Sequence, residues 1–296
     1  MNKYSIPRQH VSIVLTGLVA NMILACIKII TGIMGNTYAL IADGIESTLD
    51  IFSSLVVYHG MRIGNQPPDE EHPFGHGKAE ALAALIVSTG LIVAASGIAV
   101  GSFREIVQPR NTPAPFTLIV LLAVILIKEV LFRRLDTAGK HSGSLPMKPD
   151  AWHHRSDAIT SFAAFIGISL ALIGGSRFMN ADDWAALLAS SLIAFNGFTM
   201  LKASVAEIMD AAPDPAIESA IRLMAMTIND VKGIEKCRVR KSGTWYFVEI
   251  HVEVDGNITV AHSHYIGHQV KDTLINSPLK IADVMIHIEP AKPDAT

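Results

Sequence analysis

The sequence predicts a membrane α-helical bundle of six transmembrane helices followed by a small C-terminal cytoplasmic α+β domain of order αββαβ, and three observations carry that prediction. Half of the 296 residues are hydrophobic and the mean hydropathy is +0.38, yet 17% are charged and the charges are unevenly placed. Six apolar stretches are long enough, or nearly so, to cross a bilayer. From Ala212 onward the composition changes to that of a soluble domain, which divides the chain into 1–210 and 211–296.

The apolar stretches run from about 11 to 34, 38 to 61, 79 to 102, 115 to 132, 151 to 174 and 184 to 206. Lys3 and Arg8 before the first would suit a signal peptide. The run Val11 to Met34, broken by Asn21 and Lys28, is too long for a signal core and reads as a retained span. One set of connections carries Lys3, Arg8, Arg62, Lys78, Arg133, Arg134, Lys140, Lys148 and Arg155, whereas the opposite set has Arg104, Arg110 and Arg177, so both termini are expected in the cytoplasm. Lys128 and Glu129 interrupt the fourth span near its inner end, where Lys128 is expected to snorkel. Small residues in the third span, and Ala185, Ala189, Ala194 and Gly197 in the sixth, suit close helix packing.

Beyond Ala212, Pro213 and Pro215 open a helix over roughly 216–228, with Ile217, Ile221, Met224 and Ile228 at helical spacing. Strands follow at 237–241 and 246–255, joined by Ser242, Gly243 and Thr244. A second helix over about 260–276 and a last strand over 282–289 complete a two-layer sandwich with its helices on one sheet face. The net charge of -3 and the lack of a long basic run argue against a nucleic-acid partner. Two cysteines, Cys26 and Cys237, exclude a disulfide framework and a cysteine-rich zinc site; Cys26 is expected to be a small buried apolar residue.

Polar residues inside the spans carry the functional signal. In the run Ala151 to Asp157, His153 and Asp157 are four residues apart, which puts an imidazole and a carboxylate one turn apart on one helix face, as two ligands of one divalent cation need to be. Asp43 and Ser47 repeat the spacing in the second span, with Glu46 and Asp50 on or near the same face. An unpaired ionisable group at bilayer depth costs roughly 2.5 to 3.5 kcal/mol on insertion scales, so two matching polar faces point to one shared site. Depth is a strain on this pairing. Entering from opposite sides, Asp43 lies near the outer end of its span and His153 near the inner end of its own, unless the fifth helix starts around Leu145.

Two further clusters lie outside the spans. Asp69, His72 and His76 sit at short spacing in the loop after the second span. In the terminal domain the two-residue strand period puts Glu249, His251 and Glu253 on the face opposite Val248, Ile250, Val252 and Val254, and it puts Met285, His287 and Glu289 opposite Val284, Ile286 and Ile288. His264 and His268 share a helix face. Strand pairing decides whether these side chains meet.

The stretches Ala42-Asp43-Gly44-Ile45-Glu46-Ser47, His72-Pro73-Phe74-Gly75-His76-Gly77-Lys78-Ala79-Glu80 and His153-His154-Arg155-Ser156-Asp157 resemble the motifs of the cation diffusion facilitators, and the resemblance covers nearly the whole chain. It implies a multi-pass homodimer, in a bacterial inner membrane, that exports divalent transition metals from the cytoplasm in exchange for protons. The metal is substrate and regulatory ligand, and no separate cofactor is implied. Zinc is the first choice by family frequency and ligand affinity, with iron, cobalt, cadmium and manganese as alternatives.

Carried over residue by residue, the transport site falls on Asp43, Ser47, His153 and Asp157. Many members have a carboxylate where Ser47 stands, and Glu46 or Asp50 is a candidate for the missing charge. The loop site falls on Asp69, His72 and His76. The terminal site involves His251, His264 and His287, with Glu235 and Glu289, and His268 is a further candidate. Lys78 resembles the lysine that contacts an aspartate after the sixth helix, and Asp210 is its counterpart. A passive divalent-cation channel is the nearest alternative. An intramembrane metalloenzyme is a further one, although no His-Glu-x-x-His stretch is present.

Overall fold

The computed structural model describes residues 8–108, 112–142, 147–174 and 178–291, with side chains from 19 onward except at 134–158 and 160. Six long helices come first: α1 (Arg8–Met34), α2 (Tyr38–Gly64), α3 (Lys78–Val107), α4 (Phe116–Ser142), α5 (Met147–Ile173) and α6 (Ala181–Ile208). Each has 27 to 30 residues. At 1.5 Å per residue that is roughly 40 Å, more than a bilayer core of about 30 Å requires.

Among the described residues, α3 and α6 are long and apolar enough to cross a membrane by length and composition, and the shorter stretches Val19–Met34 and Ser161–Ile173 are apolar as well. Three acidic residues, Asp43, Glu46 and Asp50, lower the hydropathy of α2, so the residues that make it chemically interesting also weaken its apolar signature. Helix α5 starts at Met147, four residues before Ala151, in the direction that brings His153 deeper into its span.

By packing the chain forms two compact units, Met1–Val56 with Ile86–Met200, and Val57–Leu85 with Leu201–Thr296. The first unit is built in the reverse of a soluble core. Ile33, Val93, Ile119, Ile173 and Phe195 are 62 to 84% exposed, while Lys28, Ser88, Lys128, Ser161 and Ser190 are at most 1% exposed and Ala42, Ala95 and Ala186 pack between them. Large apolar side chains outside and small or polar ones inside suit a hydrocarbon surround. Cys26 belongs to the outer set: it is exposed, because it precedes the inward-facing Lys28 by two residues and so lies on a different helix face. Lys128 does not snorkel. It is 1% exposed and its Nζ donates to Asn21 Oδ1 at 2.9 Å, a partner on α1 that removes the reason to reach for headgroups.

The second unit holds α7 (Pro215–Ala225), β1 (Gly233–Ser242), β2 (Trp245–Val254), α8 (Val260–Ile275) and β3 (Ile281–Pro290). Asp214 caps α7, its side chain accepting from Ala216 N at 2.8 Å, and Thr259 caps α8. Strands β1 and β2 form an antiparallel hairpin whose turn uses Gly243 at φ +61°, and β2 pairs in parallel with β3 after the α8 crossover. Strand β1 begins four residues earlier than expected, with a register shift between Ile234 and Lys236. Ile221, Val248, Ile250, Val252, Ile266, Val270 and Leu274 form the core between the helices and one sheet face. Burial of Cys237 in this core pushes its thiol up to about 11, which makes it an inert packing residue.

Candidate metal centres

The first centre is buried where α1, α2 and α5 meet. Gly44 is what lets α1 and α2 approach: a Cβ there would lie 2.7 Å from Ile29 Cγ1 and 3.0 Å from Lys28 Cβ. With the backbones this close, Lys28 Nζ stands 2.9 Å from Asp43 Oδ2 and donates to Ser47 Oγ at 3.2 Å and to Ser161 Oγ at 3.1 Å. Ser161 in turn donates to Asp43 Oδ2 at 2.7 Å. Asp43 and Ser47 are each 5% exposed, and Lys28 and Ser161 are fully buried. Glu46 and Asp50 are half-buried.

The expected pair Asp43 and Ser47 is therefore brought together, and the side chains of His153 and Asp157 lie outside the described residues. Lys28 and Ser161 were not among the expected site residues. The signal for Lys28 is a lone lysine within an apolar run, which is a functional hypothesis by default. The signal for Ser161 is its place four residues after Asp157 in sequence.

The loop centre comes next. Asp69 Oδ1 accepts the His72 backbone N–H at 2.6 Å and lies 3.2 Å from His72 Nδ1, while Asp69 Oδ2 lies 3.4 Å from His76 Nε2. The backbone N–H of His72 holds the Asp69 carboxyl below the usual carboxylate range, against a smaller opposing effect of burial. Nδ1 of His76 is buried without a hydrogen-bond partner. Ligand atoms of the three residues lie within 4.8 Å of one another, close enough to share an ion.

The third centre is written in the sheet register. Parallel pairing sets His251 opposite His287 and Glu253 opposite Glu289, so the polar faces of β2 and β3 meet. His251 Nδ1 stands 2.6 Å from Glu289 Oε1, His287 Nε2 stands 3.6 Å from the same oxygen, and the two imidazole centroids are 4.9 Å apart. These three also offer ligand atoms within 4.8 Å.

Glu235, on β1 beside the register shift, is 3.9 Å from His251 Nδ1, at the edge of the group. The structure does not bring His264 to it. His264 rides on α8, which covers the opposite face of the sheet, and its Nε2 lies 3.1 Å from His268 Nε2.

Lys78 and Asp210 meet as an ion pair of 2.6 Å. Lys78 Nζ also donates to the carbonyls of Glu207 and Ile208 at 2.7 and 3.2 Å, which satisfies free acceptors at the C-terminus of α6. The Lys78 hydrogen bond, with help from Arg240 at 3.3 Å, holds the Asp210 carboxyl below its ordinary range.

A bundle with an apolar exterior and buried charge suits a membrane, and the imidazole and carboxylate clusters offer the donor types that divalent metals take. The cation efflux transmembrane domain matches residues 14–209, the cytoplasmic domain of cation efflux proteins matches 213–291, and the chain belongs to that family, the cation diffusion facilitators. It is accordingly a metal-cation efflux transporter of the membrane and not an enzyme.

Among its relatives, the manganese efflux system protein MneP of Bacillus subtilis is 30% identical over 96% of this chain and 97% of its own. Metal tolerance protein 2 of Oryza sativa is 33% identical over 94% and 77%, and the cation-efflux pump FieF of Serratia proteamaculans is 30% identical over 90% and 88%. A solved MamM C-terminal domain is 22% identical over 26% of this chain and 98% of its own, at a TM-score of 0.26.

Proposed function

We propose that the protein exports divalent transition metals from the cytoplasm in exchange for protons, through six membrane-spanning helices with both termini in the cytoplasm of a bacterial inner membrane. The observation that carries the reading is Asp43, a carboxylate 5% exposed within a bundle whose outer surface is apolar. Asp43 and Ser47 supply half of the transport site, and His153 and Asp157, which recur with Ser161 every four residues on α5, supply the rest. Metal needs an ionised carboxylate and a neutral imidazole, so protons compete for the same atoms and binding releases them. Alternating packing of the helices couples the two fluxes.

Zinc is the first choice, on the mixed imidazole and carboxylate donors of the site and of the two clusters outside it. Manganese is the second reading, favoured by the described intramembrane donors Asp43, Ser47 and Ser161, which are all oxygens, and by the name of the Bacillus relative. The domain of residues 213–291 joins two copies into a homodimer and senses metal through His251, His287 and Glu289, shifting the transporter toward an active packing.

The deciding experiment is metal-driven proton flux in proteoliposomes. Asp157→Ala abolishes it in this reading, and undiminished flux removes the residue from the mechanism. Competition between zinc and manganese in the same vesicles orders the metals. Metal movement without counter-moving protons would instead establish a channel.

A further inference from the structure

Beside Asp43 the structure places the protein's own cation. Lys28 Nζ makes its shortest contact, 2.9 Å, with Asp43 Oδ2 and completes its shell with the hydroxyls of Ser47 and Ser161. Two of these oxygens, on Asp43 and Ser47, are the ones that a divalent ion at the proposed transport site would need. We propose that Lys28 is a tethered competitor for the transport site, an ammonium that occupies the carboxylate between transport events and must be expelled for metal to bind. The proposal rests on the reading of Asp43 as a transport ligand.

Charge and geometry both demand the expulsion. With Asp43 and Asp157 as its two carboxylates, the site neutralises one dication, and a second cation held among the same oxygens leaves an uncompensated positive charge in a low-dielectric interior. Ser47 fits the same logic. A carboxylate there would hold both the ammonium and the metal more tightly, whereas a neutral hydroxyl binds either one weakly and lets them exchange.

Lysine suits the role because its compact head sits on a flexible four-carbon stem and can leave the pocket without backbone movement. Gly44 keeps α1 within reach, since any side chain there would push Lys28 away from Asp43. A tethered cation of this kind sets affinity rather than chemistry. It weakens metal binding and speeds release, and it keeps Asp43 paired in the interval between ions.

The test measures Zn²⁺ binding to the full-length protein in detergent or nanodiscs, in a background with His72→Ala and His251→Ala to silence the outer clusters. Lys28→Met and Lys28→Gln are expected to tighten binding at least tenfold, while Lys28→Arg stays within about threefold of the parent. In transport assays the same two variants lower KM and lower kcat together, because release becomes slow. Without Zn²⁺ their unfolding temperature falls, and Zn²⁺ raises it by more than it raises that of the parent.

A gain in affinity cannot come from misfolding, and Lys28→Gln retains a donor for Asp43 should the apolar variant fold poorly. Equal or weaker binding in folded Lys28 variants, alongside loss of binding in Asp43→Asn, overturns the competitor while leaving the transport site in place. Binding that survives Asp43→Asn overturns the site and the competitor together.

Discussion

The Asp43 centre and the His251 centre use related chemistry under opposite conditions. At the first, a carboxylate 5% exposed is matched by a lysine with no exposure, and Asp43 Oδ2, Lys28 Nζ and the hydroxyls of Ser47 and Ser161 pair with one another inside the bundle. At the second, His251, Glu289 and His287 are 18, 25 and 65% exposed, and water can satisfy whatever the protein leaves open. A dry site must be electrically complete at all times, so it carries its own counter-ion. A wet site need not, because water screens whatever charge the cluster carries. This contrast decides which mutations should unfold the protein and which should only silence it.

The largest effect is expected from breaking the dry pair on one side. Asp43→Leu strands a buried ammonium and should cost about 3–5 kcal/mol of stability, read from unfolding in detergent. Adding Lys28→Met to make the doubly apolar variant should recover most of that loss, since replacing a buried pair by apolar groups is often neutral. Additive losses would mean that the two charges do not depend on each other.

The wet centre should behave in the reverse way. Glu289→Gln removes the charge of a partner that His251 holds at 2.6 Å, yet with water close by the loss without metal should stay within about 1 kcal/mol. What should vanish is this centre's share of the stabilisation by added metal, which for an intact site at a hundredfold excess over Kd is about 2.7 kcal/mol. A Zn²⁺-dependent rise in Tm as large in Glu289→Gln together with His251→Ala as in the parent, both compared in a His72→Ala and Asp43→Asn background, would remove the centre as a metal site.

A third change sharpens the contrast by moving a helix rather than a charge. Gly44→Val adds a Cβ that would lie 2.7 Å from Ile29 Cγ1, and overpacking of this kind should cost about 1–3 kcal/mol. It should also weaken the Lys28 to Asp43 contact, so the loss from a second change, Asp43→Leu, should be smaller in this background than in the parent. Equal losses in both backgrounds would show that helix spacing does not set the pair.

Much of this was legible in the chain, and what was not has a physical reason. Apolar runs and the four-residue recurrences found the long helices and the face carrying Asp43 and Ser47, because the helical period is local. The strand period separated His251, His287 and Glu289 from the core face, but only the parallel register of β2 and β3 makes them meet. The same long-range packing sets His264 apart from these three, since the crossover carries it to the other side of the sheet. Lys28 and Lys128 read as interruptions of apolar runs to be excused by snorkelling or passed over. Their partners lie 15 and 107 residues away, beyond any local pattern. Cys26 was misplaced for the opposite reason, since an apolar residue in a membrane bundle has no obligation to face inward.

The smallest expected effect lies at Asp210, and it separates a wet charge pair from a wet metal centre by its dependence on pH. Lys78 and Arg240 hold the folded-state carboxyl below its ordinary value, so the pair contributes stability above the unfolded pKa of about 3.9 and loses it as pH falls through the lower folded value. Asp210→Asn removes the charge and leaves the backbone at ease, because φ at this position is +55° and asparagine tolerates that region well. Lys78 keeps its two carbonyl acceptors in the variant, so the cap on α6 stays. The parent should exceed the variant by about 0–1 kcal/mol at neutral pH, the range of exposed ion pairs, and added salt should shrink the gap. On acidification the gap should close as the parent's carboxyl takes up its proton. A gap that stays constant down to about pH 2 would show that the carboxylate charge contributes nothing and that Lys78 stabilises the end of α6 through the carbonyls alone.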